Sequence, residues 1–320
     1  MAKLNMVQAL NLALREEMEK DDRVVLIGED VGRDGGVFRV SEGLFDLFGP
    51  ERVVDTPLAE SGIAGTAIGM AVYGLRPVAE IQFMGFIYPA VDQILSHACR
   101  IRMRSRGRFT CPLVIRTPYG GGVRTPELHS ESTEALFCHM PGVKVVVPST
   151  PYHAKGLLLS SIRDADPVIF LEPTRLYRLI REEVPEGDYT VPLGRARVVQ
   201  EGSTVTVIAW GSMLHKVLES VGELDAEVID LQTLSPFDEE TVYRSVRKTG
   251  RVVIVHEAPK TCGFGAELSA SVAEDAMLHL KGPIMRVTGY DVVMPLPKLE
   301  EHYLPTRDRI RGAIEEVLKY

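Results

Sequence analysis

The sequence is sparing with the features that mark several protein classes. Its 320 residues include only four cysteines, Cys99, Cys111, Cys138 and Cys262. They are widely spaced and form no CxxC pair, so no disulfide framework is indicated, and they read as inert thiols in a reducing compartment. No run reaches the roughly 18 apolar residues of a membrane-spanning helix. There is no Walker loop, no HExxH and no GxSxG. Gly28 and Gly32, and separately Gly263-Phe264-Gly265, fall short of a complete dinucleotide-binding loop. Neither a repeat of solenoid length nor a low-complexity tract occurs. Positive charge is outnumbered: 36 Lys and Arg face 44 Asp and Glu, a formal charge of −8. Bulk electrostatics therefore favour neither nucleic acid nor an anionic membrane. The basic run Arg100, Arg102, Arg104, Arg106 and Arg108 lacks an aromatic platform; most of it reads as a solvated, ion-paired helix end, with an anion contact or a partner-subunit surface as the alternatives. The N-terminus does not read as a targeting peptide. Asn5 is placed to cap a helix on which Met6, Leu10, Ala13 and Leu14 share one face while Glu16, Glu17 and Glu19 stay outside, which leads us to expect a cytoplasmic protein.

What is present is a long alternation of β-branched apolar runs with helical stretches. The runs are Val24 to Ile27, Arg76 to Ile81, Leu113 to Ile115, Val143 to Val147, Val168 to Leu171, Val205 to Trp210, Glu227 to Leu231, Val252 to His256 and Ile284 to Val287. Continuous rather than alternating runs predict parallel strands buried on both faces, hence an α/β fold. The length suggests two domains. A tract rich in Pro, Gly and acid between Glu182 and Gly202 places the break, giving 1–187, a linker 188–200, and 201–320.

Residues 55–86 carry the most informative pattern. A strand ends near Asp55, Pro57 cannot extend it, and Glu60 stands at the mouth of a helix starting near Ser61. Gly62, Gly65 and Gly69 make that helix small-sided, at about 1 kcal/mol each against alanine, which suggests close approach by another backbone, such as a subunit interface. Glu60 is held ionised by the helix dipole and pushed the other way by burial, opposed pressures that suit a proton-handling group; a simple capping acid is the alternative. His129 follows a glycine-rich loop, Tyr119 to Leu128, beyond a strand end, where α/β sites lie.

Six motifs in order along nearly the whole chain carry a family resemblance: Thr56-Pro57-Leu58-Ala59-Glu60, Glu80-Ile81-Gln82-Phe83, Ile115-Arg116-Thr117-Pro118, His129-Ser130, Pro148-Ser149-Thr150-Pro151 and His256-Glu257-Ala258-Pro259. The sequence resembles the β subunits of thiamin-diphosphate-dependent 2-oxo acid dehydrogenases, those acting on pyruvate or branched-chain 2-oxo acids. The resemblance implies a transketolase-like pyrimidine-binding domain followed by a transketolase C-terminal-like domain. It implies that Glu60 hydrogen-bonds ring nitrogen N1′ of the aminopyrimidine and favours the imino tautomer that removes the thiazolium proton, in a dry site. Leu58, Gln82 and Phe86 match positions lining the pyrimidine pocket, although plain core packing also accounts for Leu58 and Phe86. His129 matches a residue acting in acyl transfer to a lipoyl group. A structural monovalent cation (K+) is implied at Cys111, Leu113, Ser161, Asp164 and Asp166; loop carboxylates in solvent are the plainer alternative.

Enzymes of this superfamily hold the diphosphate through Mg2+ on a Gly-Asp-Gly segment with a distant Asn-Asn. Neither is present, so the resemblance implies an α subunit carrying them, an α2β2 heterotetramer containing a second β chain, and docking to a dihydrolipoyl acyltransferase core. The rival readings are an acetoin dehydrogenase or transketolase-like half-protein, or a non-catalytic assembly subunit.

Overall fold

A computed structural model describes residues 2–320. Its strands are β1 (Ala2–Leu4), β2 (Val24–Gly28), β3 (Val53–Asp55), β4 (Arg76–Glu80), β5 (Val114–Tyr119), β6 (Lys144–Val146), β7 (Val168–Pro173), β8 (Glu182–Val184), β9 (Arg197–Gln200), β10 (Val205–Ala209), β11 (Ala226–Asp230), β12 (Thr233–Ser235), β13 (Val252–Pro259) and β14 (Met285–Gly289). Two large sheets result. The first runs β12-β6-β7-β5-β4-β2-β3 and the second β14-β13-β10-β11-β9. Within these two sheets every pair is parallel except β12 with β6 and β11 with β9, both at sheet edges; β1 and β8 form a separate antiparallel pair. All nine apolar runs are strands; most are buried on both faces and so are largely apolar, while the run at the edge strand β14 is only half-buried over Ile284 to Arg286.

Three apolar layers hold the sheets. The helices Met6–Lys20 and Pro151–Arg163 cover one face of the first sheet through Met6, Leu10, Leu14, Leu158 and Ile162. The helices Ser212–Val221 and Arg307–Val317 cover the outer face of the second through Leu214, Val217, Ile310 and Ile314. The middle layer is shared: Ile63, Ile68 and Ile115 from the first half pack in one cluster with Trp210, Ile254, Phe264 and Leu268 from the second.

Local expectations meet three adjustments. Asn5 caps the first helix in a full capping box with Gln8, but Glu17 faces inward, where it receives Arg163 Nε at 2.8 Å and Nη2 at 2.5 Å. A buried carboxylate is tolerable there because a guanidinium grips both oxygens. The last four residues of the expected linker form β9, paired with β11. Cys262 is exposed, whereas burial pushes the Cys111 thiol up to about 12. Gly263 and Gly265 serve packing: a Cβ on either would lie 2.7 Å from the His256 ring, which stacks on Trp210 at 5.2 Å.

Candidate active site

The strands β3, β2, β4 and β5 lie side by side and parallel, so the segments following them emerge at one edge. Carboxyl edges of parallel sheets are where such folds bind ligands. Four segments meet there. Glu29 and Asp30 follow β2; Thr56 to Glu60 follow β3; Gln82 to Phe86 follow β4; and the loop Gly120 to Ser130 follows β5.

Glu60 is the first residue of the helix Glu60–Val72, where unpaired amides and the dipole favour a carboxylate. It is half-buried, and its charge adds to burial and Asp30 in raising the carboxyl of Glu29. Leu58, two residues earlier, is 71% exposed. The dry surroundings expected for Glu60 are therefore not made by this chain alone, which presents an apolar side chain and a carboxylate on an open wall. Gln82 donates from Nε2 to Asp30 Oδ2 at 3.1 Å, tying the β4 and β2 segments together. Phe86 is half-buried against the middle layer.

His129 is brought to Phe86. Its ring centroid lies 5.0 Å from that of Phe86 and 4.2 Å from that of Phe83, a contact the sequence reading missed. His129 Nδ1 is 2.7 Å from the Glu127 carbonyl. A carbonyl can only accept, so Nδ1 carries the proton and Nε2 of the neutral ring keeps its lone pair. The two segments touch closely: Gly85 N–H donates to Leu128 O at 3.1 Å, and a Cβ on Gly85 would stand 2.1 Å from that oxygen. Glycine is required there by lack of space.

Behind the site, Arg116 on β5 joins two buried carboxylates. It donates from Nε and Nη2 to both oxygens of Glu172 at 2.6 Å and from Nη1 to Glu80. Tyr177 completes the network with a 2.6 Å bond to Glu172. Burial raises the Glu80 carboxyl, Arg116 opposes it, and Glu172 raises it further. Burial is the largest influence on Glu80, which is why its carboxyl moves up despite the facing guanidinium.

The five residues expected at a cation site lie elsewhere, and their donors are engaged from within the chain. Asp164 Oδ1 takes Lys144 Nζ at 2.7 Å, and Asp166 Oδ1 takes Arg102 Nε at 2.7 Å. Arg76 Nη1 lies on the carbonyls of Ile162 at 2.7 Å and Asp164 at 3.2 Å. The carbonyls of Cys111, Leu113 and Ser161 already accept Leu113 N–H at 2.8 Å, Val168 N–H at 2.8 Å and Asp164 N–H at 3.3 Å. An added ion would compete with three side-chain cations, so this donor set does not fit one as it stands. Among the described residues no group of three or more His, Cys, Asp or Glu converges as a metal cluster, and no helix is long and apolar enough to cross a membrane.

Two parallel-sheet domains in series, with a carboxylate at a helix mouth on the first sheet's carboxyl edge, define a transketolase-type α/β protein. The family models agree: "Transketolase, pyrimidine binding domain" matches residues 2–180 and "Transketolase, C-terminal domain" residues 194–310. A solved structure described as a split-gene transketolase, an inactive β4 tetramer, superposes with a TM-score of 0.79 at 25% identity, covering 99% of each chain. Among curated proteins, the chain is 50% identical to the pyruvate dehydrogenase E1 component subunit beta of Acholeplasma laidlawii, over 100% of this chain and 99% of that one. It is 49% identical to that of Bacillus subtilis (strain 168), over the whole of both. The chain belongs to the family of β subunits of thiamin-diphosphate-dependent 2-oxo acid dehydrogenases.

Proposed function

We propose that this chain is the pyrimidine-binding half of an enzyme that decarboxylates pyruvate and passes the acyl group to the lipoyl group of an acyltransferase. The observation that carries the reading is Glu60 at a helix mouth beside the exposed Leu58, on the edge where Gln82, Phe86 and His129 also converge. Identity to pyruvate dehydrogenase subunits supports pyruvate over branched-chain acids. Bound thiamin diphosphate supplies the carbon nucleophile and electron sink that the reaction needs.

The chain's own groups do the rest. Glu60 accepts a hydrogen bond from ring nitrogen N1′ and so sets the pyrimidine tautomer. Leu58 and Phe86 supply apolar surface for the ring, and Gln82 fixes the spacing between the β2 and β4 segments. In acyl transfer a bond forms from the acyl carbon to one lipoyl sulfur while the S–S bond breaks. The acyl unit is oxidised and the disulfide reduced; Nε2 of His129, whose lone pair is free, takes the proton lost by the hydroxyl that becomes the acyl carbonyl and passes it to the departing sulfur. Water exclusion at Glu60 requires a second wall, and we assign it to an α subunit that also brings Mg2+ and the diphosphate contacts, in an α2β2 assembly. On this reading residues 1–187 hold the site, and 201–320 serve subunit and acyltransferase contacts.

Glu60→Gln in the enzyme reconstituted with its α subunit tests this. The expected loss in decarboxylation is about a hundred-fold or more, the usual contribution of a positioned proton-handling group. Activity near wild type would reduce Glu60 to a helix cap.

A further inference from the structure

The loop that presents His129 is poorly held by its own atoms. Gly120 and Gly122 have φ of 79° and 103°, and the non-glycine residues Arg124 and Leu128 have φ of 57° and 66°. Such conformations are costly for residues with a Cβ and persist only where the surroundings impose them. Bonds from the loop to its own segment are four: Gly120 N–H to Glu131 O at 2.9 Å, His129 N–H to Pro126 O at 3.3 Å, His129 Nδ1 to Glu127 O at 2.7 Å, and Thr125 Oγ1 with Ser130 Oγ; none of them holds the amides of Gly121, Gly122 or Arg124.

The grip comes from the other half of the chain. Glu257, near the end of β13, accepts Gly121 N–H at 2.9 Å and the hydroxyl of Ser212. Glu300, the first residue of the helix Glu300–Tyr303, accepts Gly122 N–H at 2.8 Å and Arg124 N–H at 3.1 Å on Oε1, with Ser130 Oγ 3.5 Å from Oε2. Both glutamates are buried. A buried carboxyl oxygen accepting backbone amides holds them firmly, because no solvent competes for the bond. The two anchors bind consecutive amides at the start of the loop, and Gly85 holds its far end through Leu128. With both ends fixed, little freedom is left to the His129 ring between Phe83 and Phe86.

We propose that Glu257 and Glu300 are positioning residues through which the C-terminal half clamps the Gly120–Ser130 backbone and aims His129 for acyl transfer. The proposal rests on the role given to His129 above. It also gives the His256-Glu257-Ala258-Pro259 motif a task that its position in the second sheet does not suggest.

The test uses the reconstituted enzyme carrying Glu300→Gln, Glu257→Gln, His129→Ala, or His129→Ala with Glu300→Gln. Two rates are read separately: decarboxylation with ferricyanide as oxidant, and acylation of a lipoylated acceptor domain. Glu300→Gln is expected to lower acylation about tenfold, as loss of one or two charge-assisted bonds would, while leaving ferricyanide-coupled decarboxylation within about twofold. The double variant should be no slower than His129→Ala alone, because both changes act on one group. Hydrogen exchange at the Gly122 and Arg124 amides should quicken in Glu300→Gln, and Glu257→Gln carries the same test from the Gly121 side should Glu300→Gln not assemble. Normal acylation in the glutamate variants with His129→Ala impaired would overturn the clamp. So would additive losses, equal losses in both rates, or unchanged exchange. Normal acylation in His129→Ala would instead overturn the role of the histidine itself, and the clamp with it.

Discussion

Replacing Arg116 by Met removes the only cation of the buried network behind the site and leaves Glu80 and Glu172 facing each other. The cost can be worked in two ways. Arg116 makes two bonds to Glu172 and one to Glu80, and at about 1.5–3 kcal/mol for each bond to a charged group these set an upper range of about 4.5–9 kcal/mol. Breaking a buried ion pair from one side costs about 3–5 kcal/mol, since the remaining charge is stranded without solvent. The two routes overlap at about 5 kcal/mol near neutral pH. The loss should also depend on pH. Glu80 already binds its proton more tightly folded than unfolded, and without Arg116 that preference grows. A group raised in this way stabilises the fold fully below its ordinary value of about 4.5, and this contribution disappears as pH climbs through the folded value. The deficit of Arg116→Met must therefore shrink as pH falls below neutrality. The assay is urea denaturation followed by fluorescence of Trp210, the only tryptophan, which lies in the middle layer shared by both halves. A deficit under about 1 kcal/mol at pH 7, or one that grows on acidification, would refute the reasoning. Because Glu80 ends β4 two residues before Gln82, the same variant should weaken cofactor binding in the assembled enzyme.

Two further outcomes follow from the same geometry. Gly85→Ala drives a methyl into the Leu128 carbonyl and parts the segments bearing Phe86 and His129, so it should cost about 1–3 kcal/mol in urea denaturation and slow acyl transfer; unchanged values would mean that the contact is not tight in solution. Burial raises the Glu257 and Glu134 carboxyls to about 7, their mutual repulsion adding to the rise at Glu257 and Arg175 and Lys216 opposing it. Raised groups favour the fold at low pH, so stability should decline as pH rises from about 5 to 8, and Glu257→Gln should flatten that decline. Parallel profiles for the two proteins would contradict it.

The strands declared themselves in the sequence because burial on both faces makes their apolar runs continuous. Those the sequence reading passed over, β1, β8, β9 and β12, are three or four residues long and pair with segments far along the chain or at an edge. Their stability is tertiary, and a local window does not contain it. The inward turn of Glu17 has the same origin, since its partner Arg163 sits on another helix. At the site, the mouth of a helix at Glu60 followed from Pro57 and the strand before it, whereas its role came from the family resemblance. Glu300 carried no local signal, and Phe83 stood only as the last residue of a motif with no role attached. Phe83 matters through a ring 46 positions away, and Glu300 through amides 176 and 178 positions away. The exposure of Leu58 was equally hidden, for an apolar residue after a strand gives no sign of whether its cover lies in the same polypeptide.

The placement of β12 has an outcome for how the molecule can be taken apart. Thr233 to Ser235 belong by chain order to the second half, yet they line the outer rim of the first sheet against β6, and Gln232 O accepts Val147 N–H at 2.8 Å beside them. Severing the chain between residues 188 and 200 would strip that rim and leave β6 with bare peptide groups, the adhesive margin that sheet proteins normally conceal. The fragments should clump rather than persist as modules. Domain truncation is thus a poor route to dissecting this protein, and point substitutions in the intact polypeptide are the sounder one.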